Sequence, residues 1–455
     1  MISKIFNFRK FETETESGRE SERNRLIRLS IAVNFLSKLI SMLVMVYVVA
    51  STVPYLGAER FGVWMTILGF VGVLSFLDLG AGNSLTNMVA NAAKKGEEEL
   101  TNTISAGILY MTILAIGVLI MLFIISESIS IDTIIKTDLN SIKSEVQVTV
   151  VVFNIIFCIN IIANSIQRIV AGMQLSYLTH AVSILSSFLT AICIYFSTKN
   201  ELEIPYLLLG TFGVQTTVSL LPIVWLYKKN YIKLDNLNSR IEGKFSPLFK
   251  TGGLFLILQI GTMAGWGIDP LLISGILGAS AVAEFAIIQR LFQIIAQPMA
   301  IYNAPLWSAY SDAHAGQDFK FIKKTLLTSI KITAIYSIVS CIILTFIGNE
   351  IILKWTSNSV NVSLYLIVAY GLWTSAQAIG NSFAMFLNGC GLIRPQVMAV
   401  ALIVGIGLPV KVYILKNEGL TAMIFAFTII YCATLLIIFK YVYGAEIKKL
   451  TQFSN

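Results

Sequence analysis

The sequence predicts an all-α polytopic membrane protein with about twelve transmembrane helices, arranged as two six-helix parallel repeats around a central cavity. Three observations support this fold class: the apolar composition, twelve long apolar segments and a duplicated motif spacing. Of the 455 residues, 56% are hydrophobic and only 13% are charged, and the mean hydropathy is +0.77. Soluble domains carry roughly 25% charged residues. We therefore take the lipid bilayer as the solvent for most of this chain.

The apolar segments are each long enough to cross a hydrocarbon core of about 30 Å. A helix is expected for each of them, because backbone polar groups find no hydrogen-bond partner in lipid. The predicted spans cover residues 29–53, 62–84, 103–126, 146–170, 176–197, 205–227, 252–276, 282–306, 325–348, 361–385, 397–415 and 420–443.

Two motifs recur at nearly the same spacing and indicate a duplication. A Leu-Gly-Ala tripeptide at residues 56–58 recurs at residues 277–279, which is 221 residues later. An Asn-Ser pair with a following Gly and Leu recurs 217 residues later, as Asn164, Ser165, Gly172 and Leu175 and again as Asn381, Ser382, Gly389 and Leu392. Six spans per copy make both copies cross the membrane in the same direction, which defines parallel repeats.

The basic residues predict the orientation. Of the 33 Lys and Arg residues, 23 fall in segments predicted to be cytoplasmic or at the cytoplasmic ends of spans, 6 in predicted external loops and 4 deeper inside spans. The positive-inside rule then places both termini in the cytoplasm. The predicted organisation is a cytoplasmic tail (1–28), an N-terminal half (29–227), a basic cytoplasmic linker (228–250), a C-terminal half (251–443) and a second cytoplasmic tail (444–455).

Several functional classes are disfavoured. The net charge is +8, but the basic residues are spread between apolar segments, so we do not expect nucleic-acid binding. The five cysteines are scattered without metal-ligand spacing, so neither a metal site nor a disulfide framework is expected. The longest predicted outer loop, residues 127–145, contains no histidine. We therefore expect a transporter rather than an enzyme such as a membrane glycan polymerase or ligase.

Four charged residues lie inside the spans on either side of the two duplicated turns. Lys38 and Asp78 are equally distant from the first turn, and Asp269 and Arg290 are nearly symmetrical about the second. These spacings predict one ion pair in the cytoplasmic third and another roughly 10 Å from the outer end. Each pair either locks a hairpin or opens during transport. Asp269-Pro270 also predicts a helix break at which the acid binds Na⁺ or H⁺.

Polar side chains at helical spacing single out spans one, seven, eight and ten as candidates to line a cavity. The candidate substrate-binding residues are Lys38, Arg290, Asn34, Gln259, Gln293, Gln297, Gln377 and Asn381. The alternative is that the amides join helices to one another. Arg168 and Arg394 either meet a phosphate at the inner entrance or act as cytoplasmic anchors. Lys411, near an outer helix end, is expected at the membrane interface.

The segment YLGAERFGVW…LSFLDLGAGNSLTN, within residues 55–87, resembles the start of bacterial polysaccharide-export flippases of the Wzx type. The two six-helix halves resemble the superfamily that also contains MATE exporters and MurJ-type lipid II flippases. The resemblance implies that the protein moves an undecaprenyl-diphosphate-linked oligosaccharide repeat unit, such as that of O-antigen lipopolysaccharide or capsule, to the outer leaflet by alternating access. It implies H⁺ or Na⁺ as the coupling ion and no other cofactor.

The resemblance also implies a location and partners. We expect a multi-pass protein of the bacterial cytoplasmic (inner) membrane that contacts membrane lipids, a polysaccharide polymerase and a chain-length regulator. A monomer would suffice, because one chain contains both halves. Two alternatives share the fold: a cation-coupled multidrug antiporter, which the balance of Lys38 and Arg290 against Asp78 and Asp269 disfavours, and a lipid II flippase, which differs in substrate alone.

Overall fold

The protein is described by a computed structural model covering residues 16–74, 81–128, 135, 142–232, 258–303 and 305–442. The described residues are helical almost throughout and include no strand. The α-helices are α1 (Glu16–Leu74), α2 (Ala81–Lys95), α3 (Glu97–Ser128), α4 (Lys143–Gly172), α5 (Ser176–Lys199), α6 (Ile204–Leu208), α7 (Val214–Ser219), α8 (Pro222–Lys228), α9 (Asp269–Leu277), α10 (Ala279–Asn303), α11 (Leu306–Ala315), α12 (Phe319–Trp355), α13 (Leu364–Gly389), α14 (Ile393–Leu402) and α15 (Leu408–Val442). Three π-helical turns are π1 (Leu209–Gly213), π2 (Met263–Gly267) and π3 (Ile403–Gly407).

The predicted number of membrane crossings is confirmed. Within the described ranges, nine helical stretches are long and apolar enough to cross a membrane. Two of them, Arg28–Leu74 and Ile393–Val442, contain a glycine with non-helical backbone angles, so each provides two crossings. Helix α13, with 26 residues, provides one more. The chain is therefore an all-α multi-pass membrane protein, and its described residues account for twelve crossings.

The duplicated Leu-Gly-Ala motif forms the same backbone turn in both copies. Gly57 interrupts α1 with φ 72° and ψ 172°, and Gly278 separates α9 from α10 with φ 91° and ψ 172°. Gly419 interrupts α15 with nearly the same angles, φ 85° and ψ −173°. This backbone region is essentially restricted to glycine. The three glycines thus connect successive crossings where a side chain would be strained.

The second duplicated motif also forms equivalent structure. Helix α4 ends at Gly172 and α13 ends at Gly389. Two residues after each end stands a left-handed residue, Gln174 with φ 63° and Gly391 with φ 70°. The next N–H donates to the carbonyl five residues earlier in both turns, at 3.1 and 2.8 Å. Matching helix ends and turns confirm the predicted repeat.

The described residues cluster into two compact units. The first contains residues 16–52, 81–128 and 142–232, and the second contains Val53–Leu74, Ile135 and residues 258–442. The part of α1 that follows the interruption at Gly57, called here its second limb, therefore belongs to the second unit, and the part before it is called the first limb. Most of the predicted linker (228–250), most of the two predicted tails and Asp78 lie outside the described residues, and the predicted domain boundaries stay a prediction.

Polar side chains of α4 join helices within the first unit. Asn154 Nδ2 donates to Ser126 Oγ of α3 at 3.0 Å. Asn160 Nδ2 donates to Thr216 Oγ1 of α7, also at 3.0 Å. Both asparagines are buried. These two buried asparagines therefore contribute to helix association, as side-chain hydrogen bonds between membrane helices commonly do.

Glycines in the second limb of α1 pack directly against the α9–α10 hairpin of the second unit. A Cβ atom on Gly62 would overlap the backbone carbonyl of Ala279. A Cβ on Gly69 would lie 2.9 Å from the Cβ of Pro270. The helices approach this closely because neither glycine has a side chain. This contact attaches the limb to the helices that carry the candidate site.

We expect Gly62→Ala to destabilise the protein by about 1–3 kcal/mol, because the new methyl group displaces a backbone carbonyl that cannot rotate away. Thermal unfolding of the purified variant in detergent measures this loss. Gly72→Ala is the matched control on the same helix, since its Cβ would meet its nearest neighbour at an ordinary 3.9 Å. Equal stability of the two variants would contradict the close packing at Gly62.

Candidate functional site

The second unit contains a buried ion pair between the seventh and eleventh crossings of the chain. The seventh crossing is Leu258–Leu277, and the eleventh is the part of Ile393–Val442 that precedes Gly419. Asp269 is the first residue of α9, and Lys411 lies in the first turn of α15. The Lys411 Nζ atom lies 2.7 Å from Asp269 Oδ1, and the two side chains are 1% and 8% exposed. Ionisable groups inside membrane helices are costly and commonly mark functional sites. This pair is the centre of the candidate site.

The Lys411 ammonium group has a partner for each of its three N–H donors. One partner is the Asp269 carboxylate, and the second is the backbone carbonyl of Gly265 at 2.5 Å. The third is the face of the Phe427 ring, whose centroid lies 3.6 Å from Nζ. A carboxylate, a carbonyl and an aromatic face all stabilise a cation. The positive charge is therefore compensated inside the protein.

Breaks in both helices build this site. On the seventh crossing, π2 precedes Asp269-Pro270, and the Ile268 N–H donates to the Met263 carbonyl at 2.9 Å. On the eleventh crossing, π3 lies immediately before α15. Single π-helical turns inside α-helices occur frequently at functional sites. The break brings a backbone carbonyl and a carboxylate of one helix to the same ammonium group.

Two glycines of the seventh crossing, Gly261 and Gly265, let the eleventh crossing approach it. A Cβ on Gly261 would overlap Val400, and a Cβ on Gly265 would lie 3.2 Å from Ile403 Cγ2. Glycines four residues apart form one small face on a helix, which is a common packing surface in membranes. This contact places Lys411 within reach of Asp269.

An aromatic cluster adjoins the pair. Trp373 lies 5.1 Å from Phe427 and 5.2 Å from Tyr431, measured between ring centroids. Trp266, within π2, lies 6.2 Å from Trp373 and 6.3 Å from Tyr431. Tyr370, one turn from Trp373, interacts electrostatically with Asp269. The ion pair is thus surrounded by rings from the seventh, tenth and twelfth crossings, which limits its access to water.

The predicted pairing of Asp269 with Arg290 is wrong, and so is the predicted interfacial position of Lys411. The Asp269 carboxylate binds Lys411 instead, and Lys411 is almost fully buried. The side chain of Arg290 is directed towards a different neighbour, with Nη2 3.2 Å from the sulfur of Met65 in the second limb of α1. Equal distance from a turn sets the depth of a residue but not the direction of its side chain.

Lys411 matches the depth of Asp269 in the membrane more closely than Arg290 does. Asp269 lies nine residues before Gly278, and Lys411 lies eight residues before Gly419. The difference of one residue corresponds to about 1.5 Å of helix rise. Arg290 lies twelve residues after Gly278, so it differs from Asp269 by three residues in depth. Lys411 was therefore the better match in depth, on a helix that is not adjacent in sequence.

Arg290 lacks a carboxylate partner in the part of the chain that the structure describes. Its contact with Met65 is to a thioether sulfur, which is a weak acceptor. The guanidinium group carries five N–H donors, so most of its hydrogen-bonding capacity is unused by described residues. Gln293 and Gln297 follow at three and seven residues, on the same face of α10. This face combines a positive charge with two amides.

The predicted amide residues of the second unit differ from the asparagines of α4. The side chains of Gln293, Gln297, Gln377 and Asn381 donate no hydrogen bond to another described residue. The side-chain oxygen of Gln259 is buried without a partner among the described residues. Gln293 and Asn381 are exposed, and the other three are half-buried. Unlike the asparagines of α4, these amides therefore donate no hydrogen bond that joins described helices.

The remaining predicted site residues are described by position. Asn34 and Lys38 are half-buried in the first limb of α1, and Lys38 interacts electrostatically with His180 of α5. Asp78 lies outside the described residues, so its pairing with Lys38 stays a prediction. Arg168 and Arg394 are both exposed. Their predicted roles at the inner entrance also stay predictions.

Sequence comparison relates the chain to proteins of polysaccharide metabolism. The sequence profile of the family described as "Polysaccharide biosynthesis protein" matches residues 27–310, which is more than half of the chain. A Yersinia pseudotuberculosis protein named for O-antigen export is 22% identical over 380 residues, covering 80% of this chain and 83% of the relative.

Structural comparison identifies the same fold in solved membrane transporters. The inward-facing structure of a multidrug resistance MATE family transporter of the MOP superfamily superimposes with a TM-score of 0.75 and 14% identity, over 94% of this chain and 99% of that one. The lipid II flippase MurJ, in an inward closed conformation, superimposes with a TM-score of 0.69 and 15% identity, over 93% and 90% of the two chains. At these identities the likeness establishes the fold.

Proposed function

Because the chain belongs to the polysaccharide biosynthesis protein family, we propose that it translocates an undecaprenyl-diphosphate-linked oligosaccharide repeat unit across the membrane. The movement runs from the cytoplasmic to the outer leaflet and proceeds by alternating access. The relative named for O-antigen export and the transporter fold both support a membrane transporter that acts on a glycan. The identity of the sugar is open in this proposal.

The observation that carries the proposal is Arg290. It is a cation within a membrane-spanning helix, and its described contact is a methionine sulfur rather than a carboxylate. A diphosphate headgroup loses much of its hydration on crossing the membrane, which is costly unless other donors replace the water. A guanidinium group suits phosphate oxygens because it presents its donors in a planar fork. We therefore assign to Arg290 the role of binding the diphosphate group of the substrate.

The amides support the glycan part of the proposal. Gln293 and Gln297 share the face of Arg290 on α10, and Gln377 and Asn381 lie one turn apart on α13. Amide groups both donate and accept hydrogen bonds, as sugar hydroxyl groups do. Because these side chains are not used to join described helices, binding a glycan would not break an existing contact.

The Asp269–Lys411 pair supports a coupled mechanism. The pair links the seventh crossing to the eleventh at positions where both helices are broken by π-turns. Opening it would release the two helices from each other, which suits a change between two conformations. We propose that an ion gradient, of H⁺ or Na⁺, drives this change.

The proposed location is the bacterial inner membrane, with both termini in the cytoplasm. The basic residues support this orientation through the positive-inside rule. A polysaccharide polymerase and a chain-length regulator are the proposed partners, because the translocated unit must be joined to others on the outer side. The proposal needs one copy of the chain.

Lipid analysis of the host cell tests the proposal. Polyprenyl-diphosphate lipids are extracted from cells with and without this protein and identified by mass spectrometry. We expect complete oligosaccharide units to accumulate on the carrier in cells that lack the protein, and surface polysaccharide to disappear. Accumulation of lipid II instead would reassign the protein to cell-wall precursor export. Unchanged carrier lipids would refute the flippase function and favour a multidrug antiporter.

A further inference from the structure

We infer that Lys411 supplies the cation of the carboxylate–carbonyl site in the second unit, so that this site takes up no free metal ion such as Na⁺. The ammonium group of Lys411 binds the Asp269 carboxylate and the Gly265 carbonyl and lies over the Phe427 ring. The consequence that Na⁺ does not drive transport through this site rests on the proposed function. The site itself rests on these three contacts.

The groups around Lys411 are those that a small monovalent cation would use. Hard cations bind carboxylate and backbone carbonyl oxygens, and an aromatic face adds attraction for a cation. The π2 break and Pro270 bring both oxygens to one point. Without the lysine side chain, this arrangement would be a cation site of ordinary chemistry.

The lysine already occupies that point. Its side chain is 1% exposed, and its Nζ lies 2.7 Å from Asp269 Oδ1. A second cation at the same carboxylate would be repelled by the ammonium charge and would have to displace its hydrogen bonds. Because Lys411 is part of the chain, its ammonium group is held at the site without depending on the salt concentration.

The packing of the eleventh crossing holds the lysine in place. Gly261 and Gly265 are in direct contact with Val400 and Ile403, which precede Lys411 on the same crossing. Pro409, two residues before Lys411, fixes the backbone at the start of α15. Of the two ions left open above, Na⁺ is therefore excluded from this site.

Thermal unfolding of the purified full-length protein tests the inference without a transport assay. Melting temperatures are compared in equal concentrations of sodium, methylammonium and N-methyl-D-glucamine chloride. We expect the wild type to melt at one temperature in all three salts. Lys411→Ala should melt about 5 °C or more lower in N-methyl-D-glucamine, because the Asp269 carboxylate loses its counter-charge. Sodium or methylammonium should then raise its melting temperature saturably.

The double variant Asp269→Asn/Lys411→Ala is the control and should show no cation-specific rise. A saturable rise of the wild type in sodium would overturn the inference, and so would a Lys411→Ala variant that responds to no cation. If Lys411→Ala does not fold, equilibrium binding of radioactive sodium to the wild type and to Asp269→Asn decides the matter. Equal binding by the two proteins supports a site filled by Lys411, and Asp269-dependent sodium binding refutes it. None of these outcomes depends on whether the substrate is a lipid-linked glycan.

Discussion

Lys411→Met is expected to destabilise the protein by about 3–5 kcal/mol, because it leaves the buried Asp269 carboxylate without its counter-charge. Methionine keeps most of the volume of the lysine stem, so the loss reflects charge rather than a cavity. Unfolding of the purified variant in detergent measures the free-energy change. Export of surface polysaccharide in cells that carry the variant as the sole copy measures the functional effect, and we expect export to be lost.

The double variant Asp269→Asn/Lys411→Met separates the two interpretations of the pair. It removes both charges, and the replacement of a buried ion pair by neutral groups often costs little stability. We expect it to regain at least half of the stability lost in Lys411→Met. If the pair only locks the helices, export should return with stability. If the pair takes part in transport, the stable double variant should still not export. A Lys411→Met protein as stable as the wild type would contradict the buried pair.

Arg290→Gln is expected to reduce the initial rate of export about 100-fold while leaving the protein folded. Loss of a charged partner from a desolvated contact costs about 2–5 kcal/mol, and about 3 kcal/mol corresponds to this factor. Stability should change little, because the described contact of Arg290 is the weak one to the Met65 sulfur. The rate at which newly made polysaccharide reaches the cell surface gives the functional effect.

Two further variants sharpen this prediction. Arg290→Lys keeps the charge but loses the planar fork, so we expect an intermediate rate. Lys331→Gln removes another cation of a membrane-spanning helix, one whose side chain is exposed on α12, and should export as the wild type does. Normal export by Arg290→Gln would remove Arg290 from substrate binding. An equal loss in Lys331→Gln would attribute the effect to general charge rather than to this site.

The fold was predictable from local features of the sequence. Apolar length predicts a membrane crossing whatever its neighbours are, because the bilayer alone sets the requirement. The turns at Gly57 and Gly278 were predictable from a repeated tripeptide, since their backbone angles are open essentially to glycine. The second repeat indicated that the fourth and tenth spans are equivalent, and α4 and α13 do end at corresponding glycines, Gly172 and Gly389.

The site was predictable in part. The sequence identified Asp269 as a buried acid at a helix break, but it assigned the wrong partner, because depth along a helix does not give the direction of a side chain. The π2 turn adds to this difficulty. One extra residue in a turn rotates all the following side chains by about 100°. A helical pattern extended from Gln259 to Asp269 across Met263–Gly267 therefore fails. The burial of Lys411 depends on the contacts of Gly261 and Gly265 with Val400 and Ile403. These residues are close in space but far apart in the sequence, so a local pattern does not predict their contact.

Reconstitution tests the central claim most directly. The purified protein is placed in liposomes that contain the oligosaccharide carried on undecaprenyl diphosphate, and a membrane-impermeant glycan-modifying reagent reports the fraction in the accessible leaflet over time. The proposed function predicts that wild-type protein transfers the lipid between leaflets much faster than protein-free liposomes do, and that Arg290→Gln approaches the protein-free rate. Transfer by the wild type no faster than in protein-free liposomes would contradict it.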